Sequence, residues 1–492
     1  MLEHPDAQIS TQAPTLRQPI NFSTDTLHGT LSLDTHFDDH SEVNNKTTTL
    51  NVTDTQFKQD TPKSQLTKWP PTQLIAAKTI KTIHLSVWKT KQPNFAEAKI
   101  PVPTALNINA WRSRLHSFTD NVIVDYLEFG WPENYQRSQL PTTRIHNHPA
   151  ATNNQVHVDK FLAKEVSLGA TAGPFLQNPL DLPLATSPLS AVPKRDSTDK
   201  RIVMDLSFPT ALSVNDGIPN DNFLGDSYTL TYPTIHSLLD LVRQHGNGCL
   251  LYKLDLRRAY RQFPVDPRDY HLLGLWWKDM YFIDMRLPFG LRSAPQACQR
   301  ITDAVRYMHL RDGYHLVNYL DDFCGVSSPE RASAGFSALR SLLQELGLDE
   351  AYEKAVSPTT RLTFIGLEVD TIAMTVSVPE DKLCDLESIL NKWQNKRRCT
   401  KRQLQSLIGK LSFVATCIPP GRIFMSRLLQ MLRLLYRQHH HAHLTQNFRK
   451  DIQWWQTFLR SYNGISLILE DNTTPVPDAI VASDACLTGC GG

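Results

Sequence analysis

The sequence predicts a mixed α+β protein: a split βαβ core behind a disordered N-terminal segment. Three observations carry that expectation. From Leu250 onward, short β-prone runs and segments of helical period follow in the order strand, helix, strand, strand, helix, strand. Carboxylates mark two points of that pattern. The apolar run 249–254 ends at Asp255, and Asp321-Asp322 sits between the apolar runs 316–317 and 323–326. Residues 1–73 are rich in Thr, Asp, Gln and Asn and lack periodic apolar positions. Such a segment buries too little apolar surface to offset chain entropy.

Each element follows in order. Residues 74–154 form a helical extension and linker, with Asn109 as a helix cap and Trp111, Leu115, Phe118 and Val122 on one side. The Pro-, Thr-, His- and Asn-rich stretch 140–154 reads as the linker itself. His146 and His148 have no neighbouring Cys or acid in the sequence and read as loop residues. A helix over 156–168 stops at Gly169, and a charged hairpin spans 187–205 with Lys194 and Arg201 near its turn. A loop at 213–219 and a helix at 232–246 precede the Asp255 strand. A hairpin over 272–285 turns at Lys278-Asp279. Helices at 296–310 and 329–347 bracket the Asp321-Asp322 hairpin, and a further hairpin covers 364–378.

The region 379–470 reads as helical. Leu383, Leu386, Ile389, Leu390 and Trp393 keep helical spacing. Thr400-Lys401-Arg402-Gln403 is a capping box opening a helix with Leu404, Leu407, Ile408 and Leu411 on one face. Pro419-Pro420-Gly421 breaks that helix, and a third is expected over 422–437. His439, His440, His441 and His443 fall in a loop.

Net charge is only +2, but its distribution is uneven. Between Ser388 and Lys450 there is no Asp or Glu, and there are 13 Lys and Arg. The remainder carries 38 basic against 49 acidic residues. A solvated face normally mixes both signs, so this segregation favours a polyanionic partner. The candidate contacts are Lys396, Arg397, Arg398, Lys401, Arg402, Lys410 and Arg422. The eight cysteines form no CxxC pair, so neither a zinc site nor a disulfide framework is expected. No apolar run reaches the roughly 18 residues of a membrane span. An intracellular setting, cytoplasm or nucleus, is the expectation.

Adjacent acids repel, and placing them at one turn is favourable when a hard cation such as Mg²⁺ lies between them. Their company sharpens this. The Leu254-Asp255 strand with Ala259-Tyr260 behind it, the loop Leu287-Pro288-Phe289-Gly290-Leu291-Arg292-Ser293-Ala294-Pro295, and Tyr319-Leu320-Asp321-Asp322 follow in that order. They resemble motifs A, B and C of reverse transcriptases. The resemblance runs from about Ala105 to the end. It implies a right-hand polymerase with fingers and palm over 155–378 and a basic helical thumb and connection over 379–470.

The same resemblance supplies roles. Asp255, Asp321 and Asp322 would be catalytic. With the peptide oxygen of Leu256 they would hold two Mg²⁺ ions, Mn²⁺ being the alternative. Lys194 and Arg201 would bind the incoming triphosphate, where Arg offers a planar fork and Lys a point charge. Phe289 and Gly290 would flank the sugar and base, and Lys354 would donate a proton to pyrophosphate. Tyr260 occupies the position that excludes a ribose 2′-OH. The implied partners are deoxynucleotides and an RNA template with a DNA or RNA primer. No membrane is among them.

Residues 471–492 resemble the opening strand of an RNase H domain, with Asp484 as its first carboxylate. Cys486 and Cys490 depart from that pattern. Segments 156–175, 213–219, 289–295 and 418–424 look most like DIRS-type and Ngaro-type retrotransposons, which use a tyrosine recombinase. Absence of an Asp-Thr/Ser-Gly triplet in residues 1–73 agrees with that. Other element-encoded proteins, the rest of the RNase H and a recombinase, are the expected companions. Two alternatives stay open. One is a palm RNA-dependent RNA polymerase, which Tyr260 argues against. The other is a non-catalytic or domesticated nucleic-acid-binding remnant, which the intact acids argue against.

The acid-free run generates a salt prediction. Affinity for a template-primer duplex falls with salt at a log–log slope of about −0.9 per phosphate neutralised. Replacing Arg397, Arg398, Lys401 and Arg402 together by Gln flattens that slope. An unchanged slope in a salt titration would assign the run to solvent or to a protein partner.

Overall fold

The computed structural model describes residues 101–461 except 142–143, 181 and 195–197. It also describes the backbone of three short strands at Ile465–Leu467, Asp484–Cys486 and Gly489–Gly491. The disordered segment expected over 1–73, and 74–100 after it, lie outside the described residues.

Helix α1 (Ile108–Arg114) is capped by Asn107, whose side chain accepts the Ala110 N–H, not by Asn109. Asn109 lies inside the helix. The expected continuous face also fails at Val122, which is exposed, because α1 ends at Arg114 and α2 (Ile123–Phe129) starts anew. Trp111 is fully buried, and its indole N–H donates to Leu346 O (3.0 Å).

The end of the expected linker 140–154, residues 147–154, is held down by side-chain contacts. Asn147 accepts the Leu189 N–H (2.7 Å) and donates to Trp276 O (2.8 Å). His148 Nε2 lies 3.0 Å from Asp205 Oδ2, and α3 (Pro149–Thr152) follows. Polar side chains that look like loop composition in sequence here satisfy strand edges.

Helix α4 (Gln155–Ser167) leads to β1 (Thr171–Phe175). Strands β2 (Leu189–Pro193) and β3 (Lys200–Met204) form the expected charged hairpin. The pair β4 (Asn222–Phe223) and β5 (Asp226–Ser227) precedes α5 (Ile235–His245), which Thr234 and Ser237 cap reciprocally. After β6 (Leu250–Asp255), β7 (Gly274–Trp277) and β8 (Met280–Asp284) turn at Lys278 and Asp279. Both turn residues have positive φ, 48° and 60°, as a two-residue turn matched to strand twist requires. Strands β1, β8 and β7 make one sheet.

Helix α6 (Ala294–Arg311), β9 (His315–Tyr319), β10 (Asp322–Ser327) and α7 (Pro329–Glu345) follow, then β11 (Val356–Thr359). The order β11-β6-β10-β9 gives a four-stranded antiparallel sheet. Its alternation is legible in the packing. Tyr252, Leu254, Leu316 and Phe323 enter one core with α6 and α7. Leu251, Val317, Cys324 and Val326 enter a second core with α5 and the C-terminal helices. A sheet buried on both faces stands rigidly, since fully burying each Leu or Phe contributes about 1.5–3 kcal/mol. Gly325 must be glycine, because a Cβ there would meet the Tyr252 ring at 2.0 Å.

Strands β12 (Arg361–Phe364), β13 (Leu367–Asp370) and β14 (Thr375–Ser377) form an antiparallel meander joined by β17 (Ile465–Leu467). The C-terminal unit holds α8 (Glu380–Gln394), β15 (Arg398–Thr400), α9 (Lys401–Val414), α10 (Ser426–Arg433), β16 (His441–His443) and α11 (Gln446–Ser461). The Thr400–Gln403 capping box opens α9 as expected. The helix expected over 422–437 is instead a 3₁₀ turn, Pro419–Met425, followed by α10. His441 and His443 belong to β16, paired with Thr400 and Arg398, rather than to a loop. The strand is two-sided and polar, so no alternation betrays it. β18 (Asp484–Cys486) and β19 (Gly489–Gly491) pair with each other. Among the described residues no helix is long and apolar enough to cross a membrane.

One buried acid sets a pH dependence. Glu133 is fully buried, and its only hydrogen-bonded carboxyl oxygen accepts from Ser293 Oγ (2.7 Å). Burial, and then the Asp269 charge, push its pKa well above the usual carboxylate range. A raised carboxyl pKa means the folded state holds the proton more tightly. Its stabilising contribution is therefore full below the unfolded pKa and is lost as pH rises through the folded one. Glu133→Gln removes that loss. The variant gains Tm relative to wild type at pH 8 but not at pH 4.5. Equal differences at both pH values in thermal melts would contradict the assignment.

Candidate active site

Register brings the acids together. Asp322, the first residue of β10, pairs with Asp255, the last of β6, and with Tyr319 of β9. Asp321 lies in the turn between β9 and β10, and its carbonyl accepts the Leu256 N–H (3.0 Å). Leu256 itself is buried and bridges to Glu350. The turn needs a left-handed residue, and Leu320 takes it at φ +53°. That conformation is costly for a non-glycine residue and persists where neighbours over-determine it. The Leu320 N–H donates to Gln299 Oε1 on α6 (3.0 Å). Asn318 donates to Thr302 Oγ1 and Asp303 Oδ1, both at 3.0 Å. Helix α6 thus holds the acidic tip.

Two lysines balance the carboxylates. Lys354 Nζ lies 3.0 and 3.1 Å from the two oxygens of Asp255, which is 4% exposed. Lys253 Nζ lies 3.1 Å from Asp322 Oδ1, in a geometry that leaves that buried oxygen without a hydrogen bond. Burial, then the Asp255 charge, raise the Asp321 pKa. Burial, then the contact with Asp255, push Asp322 up to about 7. Burial pulls the Lys354 ammonium down, but the bond to Asp255 and the charges of Asp255, Asp321 and Asp322 together outweigh it and the net shift is upward. Lys354 here is an ion-pair partner of Asp255. Among the described residues no three His, Cys, Asp or Glu side chains converge as a closed cation cage. The donor chemistry nonetheless suits a hard cation: three carboxylates drawn close together against two lysines.

Beside the acids lies an aromatic pair. Tyr260 stands on the 3₁₀ turn Ala259–Gln262, its ring centroid 5.1 Å from that of Phe289. Phe289 is 47% exposed, so one ring is supported and the other open to solvent. Gly290 has φ +93°, and its carbonyl accepts from Asn215 Nδ2 (2.8 Å). Asn215 also donates to Ser207 Oγ (2.9 Å) and accepts the Arg292 N–H (2.8 Å). One buried asparagine therefore holds both ends of the Phe289–Arg292 turn. The loop 213–219 had no sequence signal for this, because an Asn in a loop does not reveal which backbone it faces.

Lys194 and Arg201 stand exposed at the end of the β2–β3 hairpin, with Lys194 Nζ 3.8 Å from Asp199 Oδ2. The other end of that hairpin reaches the site: a Cβ on Gly290 would lie 3.3 Å from Met204 O. In the C-terminal unit, Arg397, Arg398, Arg402, Lys410 and Arg422 are exposed. Lys396 lies over the Trp393 ring at 5.1 Å, and Lys401 Nζ donates to Tyr436 O (3.4 Å). Asp484 starts β18, and its side chain lies outside the described residues. Sequence reading missed Gln299, Asn318, Asn215 and Lys253, all of which touch the site through partners distant in the chain.

Residues 208–369 match the model of the family described as Reverse transcriptase (RNA-dependent DNA polymerase), and all three acids fall within that span. Polyprotein P3 of Commelina yellow mottle virus is 24% identical over 277 residues, which is 55% of this chain and 13% of the polyprotein's length. A solved structure of the foamy viral protease-reverse transcriptase dRH with double-stranded DNA is similar at TM-score 0.50 and 15% identity, covering 74% of this chain and 62% of that one. The foamy viral protease-reverse transcriptase with dsDNA is similar at TM-score 0.50 and 15% identity, covering 77% and 75%. At that identity the likeness is one of fold. The chain thus contains a reverse transcriptase (RNA-dependent DNA polymerase) domain and is similar over part of its length to a viral polyprotein.

Proposed function

We propose that this chain is the polymerase portion of a retrotransposon protein, synthesising DNA on an RNA template from a DNA or RNA primer. The observation that carries the reading is the register of Asp255 against Asp322, with Asp321 beside them and the Tyr260–Phe289 pair at hand. In this reading residues 155–378 are fingers and palm, and 379–470 are thumb and connection. The motif likeness at 156–175, 213–219, 289–295 and 418–424 favours a DIRS-type or Ngaro-type element. The region from 471 is the start of an RNase H-like domain with Asp484 as its first acid.

Asp255 and Asp321 would hold two divalent ions, Mg²⁺ or Mn²⁺, with Asp322 supporting. When bound, such ions lower the pKa of a 3′-hydroxyl and neutralise charge on a triphosphate. The protein's own groups do the positioning. Lys253 offsets the Asp322 charge from the side, and Gln299 fixes the tip that carries Asp321. Lys194 and Arg201, exposed on their hairpin, suit the triphosphate. Phe289 and Gly290 flank the nucleotide, and Tyr260 packs against its sugar. An aromatic ring there accepts a 2′-CH₂ and clashes with a 2′-OH. The exposed cations Arg397, Arg398, Arg402, Lys410 and Arg422 suit a duplex phosphate backbone.

Primer extension on poly(rA)/oligo(dT) with Mg²⁺ tests this directly. Wild type extends, and Asp321→Asn falls below a few per cent of that rate while duplex binding stays near wild type. Substantial extension by Asp321→Asn would remove the acid from the site. Asn215→Ala, which frees the Gly290 carbonyl, should raise KM for deoxynucleotide by about tenfold, the factor for roughly 1.4 kcal/mol. Duplex affinity should stay constant. A KM equal to wild type would show that the Phe289–Gly290 loop is held without Asn215.

A further inference from the structure

Behind Tyr260 lies a buried ionic cluster that the chemistry above does not use. Glu165, in the last turn of α4, is 4% exposed. One of its oxygens accepts from Arg258 Nη2 (2.7 Å) and from Arg261 Nε (3.1 Å) and Nη2 (2.7 Å). Arg261 is buried too and donates to Asp284 Oδ2 (2.5 Å) and Arg286 O (3.2 Å). Two guanidinium groups thus meet two carboxylates; Arg261, Glu165 and Asp284 are buried, and Arg258 closes the cluster from its partly exposed edge. Such a group persists when its geometry is well satisfied, and breaking one partner is strongly felt.

The cluster grips a strained turn. Arg258 has φ +62° and Ala259 φ +35°, two consecutive non-glycine residues in the left-handed region. Neither residue takes that conformation by preference, so neighbours must impose it. Glu165 bonds the residue two before Tyr260 and the residue one after it. On the other side Gln262 donates to Arg257 O (2.7 Å) and accepts the Asp349 N–H (2.7 Å). Tyr260 therefore stands between two anchors, with its ring 5.1 Å from that of Phe289.

We propose that Glu165 is a positioning residue for sugar discrimination, acting through Arg258 and Arg261 to hold the Tyr260 ring against the nucleotide sugar. The inference rests on reading Tyr260 as the sugar contact. A gate excludes a hydroxyl only while it cannot swing away, because a mobile ring gives room at little cost. Loosening the turn weakens discrimination without removing the ring.

The test measures kcat/KM for one deoxynucleotide and the matching ribonucleotide on a single template. Tyr260→Ala is the reference and should raise the ribo-to-deoxy ratio by about ten- to a hundredfold. Arg258→Gln removes one bond at a side chain that is 25% exposed and leaves Glu165 paired with Arg261. It should raise the ratio about fivefold, with Arg258→Lys recovering part of the loss. Glu165→Gln, which weakens both bonds, should exceed Arg258→Gln. A purely structural role would lower both activities in parallel and leave the ratio fixed. If Tyr260→Ala shifts the ratio and neither folded Arg258→Gln nor folded Glu165→Gln does, Glu165 has no positioning role. If Tyr260→Ala leaves the ratio unchanged, the sugar reading fails and takes this inference with it.

Discussion

The arrangement depends on one electrostatic constraint: Asp255 and Asp322 face each other across an antiparallel pair, with Asp321 next in the chain. Carboxylates brought together in a partly buried place repel and lose hydration, and both effects raise the pKa values of Asp321 and Asp322. Such a cluster stands only on a scaffold that cannot relax away from it. The four-stranded sheet provides that scaffold by burying both faces, with Phe323 in one core and Cys324 in the other. Moving Asp322 away from Asp255 would mean shifting register and turning every side chain of β10 to the wrong core.

Charge balance near the acids is uneven in strength. Lys354 touches both oxygens of Asp255, yet its side chain is 58% exposed, so solvent screens much of the interaction. Exposed pairs of this kind contribute about 0–1 kcal/mol. Lys253 is more enclosed but leaves Asp322 Oδ1 without a hydrogen bond. Three carboxylates thus face two lysines, and the cluster carries an unbalanced negative charge.

Left-handed backbone gathers around the same place, strained at the three non-glycine residues. Leu320, Arg258, Ala259 and Gly290 all have positive φ, and each lies within one turn of a proposed site residue. Each strained turn is held by a hydrogen bond from a distant element: Gln299 for Leu320, Glu165 for Arg258 and Asn215 for Gly290. Helix α6, helix α4 and the 213–219 loop thus converge on three turns. Ordering of these turns comes from packed neighbours.

The linear pattern by itself determined the elements and the acids. Short apolar, β-prone runs flanking Asp255 and Asp321-Asp322 specify strands, Lys278-Asp279 specifies a tight turn, and Thr400–Gln403 specifies a helix start, because those signals are local. The motif order also led to the reverse transcriptase domain that the family match contains. Tertiary structure alone decided the register that sets Asp322 opposite Asp255, since pairing partners lie far apart in sequence. It alone decided that Lys253, Gln299, Asn215 and Glu165 support the site. A lone Lys, Gln, Asn or Glu has many bland uses, and only its neighbours reveal which backbone or charge it meets. Where local signals were weak, sequence reading slipped: the Asn107 cap, the broken 422–437 helix and the β16 histidines all depend on contacts rather than period.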